Sequence, residues 1–131
     1  GLDETGIAYV NAHGTSTPEN DKMEHLSLST VFGERIKKIP VSSNKSMIGH
    51  LIGAAGALEA MLTVLSIRDR VIPPTMNIQH LDPACQELGI QFGHAQTTEK
   101  EVRVALSNSF GFGGINACLA LRRHEAKPPT R

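Results

Sequence analysis

Apolar positions in this chain fall into short runs bounded by glycine, proline and asparagine, with two longer segments of helical character. Gly6 to Asn11 (GIAYVN) predicts a buried strand. His13 to Asp21 (HGTSTPEND) is polar and predicts a loop. Within it Thr17-Pro18-Glu19 starts a helix, because Thr is favoured at the N-cap and Pro at the first helical position. That helix should run to about Phe32 and stop at Gly33. Ile39 to Ser43 (IPVSS) predicts a second short strand, and residues 44–50 a loop feeding the longest helix, Leu51 to Arg68. Pro73 and Pro74 forbid its continuation, and a polar stretch with Asn77, Asp82 and Pro83 follows. Ile90 to Phe92, Val102 to Ser107 and Ala117 to Arg122 read as strands, the last two flanking a glycine-rich turn, Gly111 to Gly114. The alternation predicts an α/β fold with a mixed sheet, as one domain over 1–122 with a flexible tail or linker over 123–131. The chain opens on Gly1, not Met, directly before a strand, which suggests a piece cut from something longer.

The segment from Leu51 to Ile67 is apolar or small on every face, which predicts a helix buried on all sides. Glu59 is its single charge. A buried carboxylate is costly alone, so Glu59 should meet a cation or a set of donors, or else be protonated. The other reading puts Glu59 at a solvent edge.

Charge and composition narrow the function. Thirteen basic residues balance thirteen acidic ones, so no field draws the chain to nucleic acid or an anionic membrane. Four Phe, one Tyr and no Trp leave little for a base-stacking surface. No stretch reaches the roughly 20 apolar residues that span a bilayer. Two cysteines, Cys85 and Cys118, are too few for a disulfide scaffold and fit a reducing, cytoplasmic setting.

Three stretches are dense in residues that do chemistry: Asn11 to Thr17, Asn44 to Gly56 and Ser107 to Asn116. Each follows a predicted strand, where α/β proteins build ligand sites. A loop histidine such as His13 or His50 commonly does no more than cap backbone groups. His50, however, precedes a helix, whose amino-terminus disfavours imidazolium. A neutral imidazole there can donate to a carbonyl, as in triosephosphate isomerase. With Lys45 on the same loop, two neutral imidazoles suit an oxygen that gains negative charge. The run Phe110 to Gly114 lacks the following helix of a dinucleotide fingerprint and reads as a tight turn that aims Phe110 or Phe112, or as a hairpin with two core phenylalanines. His13 and His50 lack the short ligand spacing of transition-metal sites. Cys85, in a polar loop, and Cys118, in a strand, do not look like activated nucleophiles.

Taken together, HGTST at 13–17, KSMIGHLIGAAG at 45–56 and NSFGFGG at 108–114 resemble the carboxyl-terminal half of the β-ketoacyl-[acyl-carrier-protein] synthases, condensing enzymes of the thiolase-like superfamily. The resemblance runs from about Gly6 to Leu121 and is closest to the elongating fatty-acid enzymes of the KAS II type, with KSMIGH leaning slightly towards polyketide ketosynthases. It implies a thiolase-like half: a mixed five-stranded sheet with helices packed on it. It also implies an acyltransferase. An acyl chain rides on a cysteine of an amino-terminal half absent from this chain; malonyl-carrier protein loses carbon dioxide, and its enolate attacks the acyl thioester.

By that resemblance His13 and His50 hydrogen-bond the malonyl thioester oxygen, and Lys45 organises the site electrostatically. Thr15 and Thr17 contact the phosphopantetheine arm, which arrives on the carrier protein, so no other cofactor is required. Phe112 is the gating residue, its N–H part of an oxyanion hole, and Asn11, Glu59, Ser107 and Asn108 form a structural monovalent-cation site. The implied partners are acyl carrier protein bearing malonyl and acyl groups, the amino-terminal half, and a second copy in a homodimer of the full-length enzyme. Ile48 and Ile115 stand where the fatty-acid enzymes commonly carry Thr, and Asn20 where Gly is common. The 131-residue chain alone is expected to be inactive and to expose a large apolar face. Rival readings are a polyketide ketosynthase, a non-catalytic partner like a chain-length factor, and a stand-alone binding module.

Overall fold

A computed structural model of the chain describes residues 6–87 and 98–125. The predicted strand at 90–92 and most of the predicted tail lie outside them.

Strand β1 (Tyr9–Asn11) is followed by helix α1 (Pro18–Phe32), a 3₁₀ turn over Gly33–Lys38, and strand β2 (Val41–Ser42). Helix α2 (Lys45–Ile48) and a 3₁₀ turn (Ile52–Ala54) lead into α3 (Ala55–Asp69) and strand β3 (Val71–Ile72). Helix α4 (Pro83–Glu87), strand β4 (Thr98–Glu99) and the hairpin of β5 (Val104–Phe110) and β6 (Asn116–Arg122) complete it. The main sheet has the order β2-β1-β5-β6, and β3 pairs separately with β4. β1 runs parallel to both β2 and β5, while β5 and β6 are antiparallel. The α/β class and mixed sheet therefore hold. Among the described residues the main sheet has four strands, β3 and β4 form a ribbon of their own, and the fifth strand read from the sequence, Ile90 to Phe92, lies outside the described residues.

Alternation along the strands sorts the core into two layers. Val10 and Ala12 point to one face, where they pack with Leu28 and Phe32 of α1 and with Ile36 and Val41. Tyr9 and Ala105 point to the other, where they pack with Ile67 of α3 and with Ile72. Helices thus cover both faces of the sheet.

Several boundaries differ from the sequence reading, each for a local reason. The first two strands shorten to the register pairs Val10↔Val41 and Asn11↔Ser42. Residues 45–48 coil into one helical turn, closed by Gly49, whose φ of 74° few other residues adopt, with its N–H on Lys45 O. The helix predicted from Leu51 begins only at Ala55, since Ile52 sits at φ 51° and interrupts it; α1 and α3 have 15 residues each. β5 extends to Phe110 because its ladder continues to Asn116. Cys85 lies in α4 and not in a loop. Thr17 occupies the N-cap as expected, but its hydroxyl bonds Thr15 and not the helix backbone.

The largest correction concerns α3. Its buried residues are Ala55, Glu59, Thr63, Ser66 and Ile67, whereas Met61 is 56% exposed and Val64 50%. One face packs on the sheet, and among the described residues nothing covers Met61 or Val64 on the other. Apolarity on every face of the sequence therefore overstated the burial of this helix among the described residues.

Candidate active site

Because β1, β2 and β5 are parallel, their carboxyl ends open on one side, and the three chemistry-bearing stretches converge there. His13 leaves β1, Lys45 follows β2, and Phe110 ends β5. The His13 and His50 rings meet edge to face with centroids 5.6 Å apart and planes at 87°. Phe110 lies against the other side of His13, also at 5.6 Å. His13 is buried and His50 exposed.

Lys45 is buried behind this pair. Its Nζ donates to His13 O at 2.6 Å and to Glu59 Oε1, and lies 3.4 Å from His13 Nδ1. Glu59, 1% exposed, thus meets a cation, and the solvent-edge reading falls. An ammonium group has only protons to offer, so His13 Nδ1 is the acceptor and the ring proton sits on Nε2. His50 reaches the same tautomer by another route: Ile52 N–H donates to its Nδ1 at 3.1 Å. Left-handed backbone is uncommon for a β-branched residue, and at Ile52 it aims this N–H. Burial, then the charge of Lys45 and the proximity of His50, push the pKa of His13 down to about 4. His13 is therefore neutral at pH 7, a donor through Nε2.

Glu24 is a residue the sequence reading missed. Buried on α1, it accepts from His13 N and Gly14 N, each at 2.9 Å, and from Asn108 Nδ2 at 3.0 Å. It ties the turn after β1 to β5. Gly14 has φ 46°, and a Cβ there would lie 2.5 Å from that of Ser43. Ser43 Oγ donates to Gly14 O at 2.7 Å, drawing the two loops together. In the sequence, Glu24 is one acid among several on a polar helix; only its burial marks it.

Other expected residues are placed as follows. Thr15 and Thr17 share a hydrogen bond at 2.8 Å and line a cleft of about 630 Å³ with Lys45 and residues of the 75–82 segment. Phe112 is fully exposed at the turn after β5, while Phe110 meets His13. Asn11 and Ser107 are register partners, and Asn11 Nδ2 donates to Glu59 O and Thr63 Oγ1, both at 3.0 Å. Asn11 Oδ1 and Glu59 Oε2 are buried with no hydrogen-bond partner. Two such oxygens fit a monovalent cation. Asn108 faces the opposite layer, its amide on Glu24, so its side chain does not join them. Burial raises the thiol of Cys85 to about 11, and desolvation followed by Glu24 raises that of Cys118, so neither is an activated nucleophile.

Residues 1–79 match the family described as beta-ketoacyl synthase, C-terminal domain. The chain belongs to that family. It is 46% identical to 3-oxoacyl-[acyl-carrier-protein] synthase 2 of Coxiella burnetii (strain RSA 493 / Nine Mile phase I), over 93% of this chain and 30% of that protein. It superposes on a beta-ketoacyl synthase from Burkholderia phymatum STM815 with a TM-score of 0.86 and 40% identity, covering 95% of this chain and 29% of the other. A third likeness is to AntDE:AntF, a type II PKS acyl-carrier protein in complex with its ketosynthase bound to the hexaketide: TM-score 0.87, 35% identity, 92% of this chain and 29% of that one. The chain spans about 30% of the length of the curated relatives it matches.

Proposed function

We propose that this chain is the enolate-stabilising half of a 3-oxoacyl-[acyl-carrier-protein] synthase that elongates fatty acids. The observation that carries the reading is the convergence of two imidazoles, each with its proton on Nε2, in front of a buried lysine. A malonyl thioester bound there loses its carboxylate as carbon dioxide. The electron pair of the broken C–C bond moves onto the thioester oxygen, where His13 and His50 donate hydrogen bonds. The enolate carbon then attacks an acyl thioester, forming the new C–C bond and releasing a thiolate. Lys45, neutralised by Glu59, holds His13 neutral and in place.

The acyl-carrying cysteine belongs to the remainder of the protein, since Cys85 and Cys118 have raised pKa values. Acyl carrier protein delivers the substrates, its phosphopantetheine arm passing Thr15 and Thr17, and the Phe112 N–H completes the oxyanion hole for acyl transfer. Asn11, Glu59 and Ser107 would hold a monovalent cation that offsets buried negative charge. The full-length protein is read as a cytoplasmic homodimer; among the described residues no helix is long and apolar enough to cross a membrane. Likeness to a type II PKS ketosynthase supports a second reading, the same condensation on a polyketide chain.

The test uses the full-length protein. His13→Ala and His50→Ala should each lower carbon dioxide release from malonyl-carrier protein by about 100- to 1,000-fold, the usual effect of removing one oxyanion donor. Acyl transfer to the cysteine should persist. Parental decarboxylation in both variants would overturn the assignment.

A further inference from the structure

The Lys45 loop has little of its own to hold it. Between the end of β2 at Ser42 and the start of α3 at Ala55 it contains one α-helical turn and one 3₁₀ turn, and no strand. Isolated turns of this length are unstable by themselves, because helix nucleation is costly. The loop is instead strapped from outside by the segment that follows β3. Thr75 Oγ1 accepts from Ser43 N at 3.0 Å. Met76 N donates to Ser46 Oγ at 2.9 Å, and Asn77 Nδ2 donates to Ser46 O at 3.2 Å. Ser46 Oγ in turn donates a hydrogen bond to Ser43 O at 2.8 Å, and Ser43 Oγ donates to Gly14 O. A continuous line of hydrogen bonds therefore runs from Met76 through Ser46 and Ser43 to the residue after His13. Asn77 adopts φ 66°, a conformation Asn tolerates, and this turns the strap over the loop.

We infer that Ser46 is a positioning residue for Lys45, with Asn77 as its anchor on the strap, an assignment that rests on the function proposed above. Ser46 touches neither His13 nor His50. It fixes the backbone from which Lys45 reaches inward, and so the point at which the ammonium meets His13 Nδ1. A long flexible side chain is only as well placed as its Cα. The consequence falls on the step that needs a neutral, correctly oriented His13, and not on acyl transfer to the cysteine.

The experiment uses the full-length protein. Ser46→Ala should lower kcat for condensation about 10- to 100-fold, the scale of an ångström-level misplacement, with KM for malonyl-carrier protein within about twofold and acylation of the cysteine unchanged. Ser46→Thr, which keeps the hydroxyl, should recover most of the loss. Asn77→Gly, which keeps the left-handed backbone and deletes only the amide, should show a smaller loss in the same direction and guards against a Ser46 variant that does not fold. Nitrogen-15 spectra of the His13 ring give a readout independent of turnover: the Nδ1 signal should lose its hydrogen-bonded position in Ser46→Ala. Condensation within twofold of the parent, a loss shared equally by acylation, or an unmoved Nδ1 signal would each overturn the inference. If His13→Ala condenses normally, the functional reading fails instead, and the Nδ1 signal still decides the role of Ser46.

Discussion

The interior around Lys45 and the outer face of α3 invert the usual distribution of polar and apolar groups. Glu24, Glu59, Lys45, Asn11 and Asn44 are buried, while Met61, Val64 and Leu65 on α3 and Leu119 on β6 face outward. Proteins rarely bury unpaired charge or leave contiguous apolar surface open. The difference teaches that the two regions answer to different constraints. The interior is polar because loops must be held at fixed points by directional bonds. The outer face carries Met61, Val64 and Leu65 with nothing among the described residues packed over them.

The sharpest way to break this contrast is to leave one interior charge alone. Glu59→Ala should destabilise the protein by about 3–5 kcal/mol in urea denaturation, since Lys45 would stay buried without its counter-charge. Replacing both partners, Lys45→Met with Glu59→Leu, should recover most of that loss while abolishing condensation. Equal stability of the single and double variants would show that the ion pair is not what holds the interior.

A smaller effect follows from pH. The pKa of His13 falls from its ordinary 6.5 to about 4 in the folded protein, so the unfolded chain binds more protons between those values. Its contribution to stability is complete above pH 6.5 and is lost as pH falls towards 4. Urea midpoints at pH 7 and pH 4.5 should therefore differ more for the parent than for His13→Gln. Parallel losses would remove His13 from the account.

The smallest change in stability belongs to the outer face. Met61→Glu with Val64→Lys should alter the unfolding free energy by only about 0.5 kcal/mol. The same pair should reduce self-association of the isolated 131-residue chain in sedimentation velocity. An unchanged sedimentation profile would mean that this face does not drive association.

What could be read from the amino acids alone follows the same division. Thr17, Pro18 and Gly33 mark α1 because capping is local, and Glu59 stands out as the lone acid in an apolar run. The convergence of His13, Lys45 and His50 was expected from their motifs, and the strands' parallel pairing accounts for it. The tautomer of His50 was not legible, because it depends on a left-handed Ile52, a conformation with no signal in an isoleucine. β3 and β4 escaped notice because their pairing, Val71↔Glu99 and Ile72↔Thr98, joins residues distant in the chain. Glu24 has no local signature at all; its value lies in backbone N–H groups that come from another loop.

Gly14 gives the last consequence. A side chain there would collide with Ser43 and would also need a left-handed backbone. The HGTST stretch is therefore constrained at two points: its glycine has no room for a side chain, and Ser16, although exposed, holds a φ of 59° that disfavours bulky or β-branched replacements. Diversity in this loop has to respect both of these backbone positions.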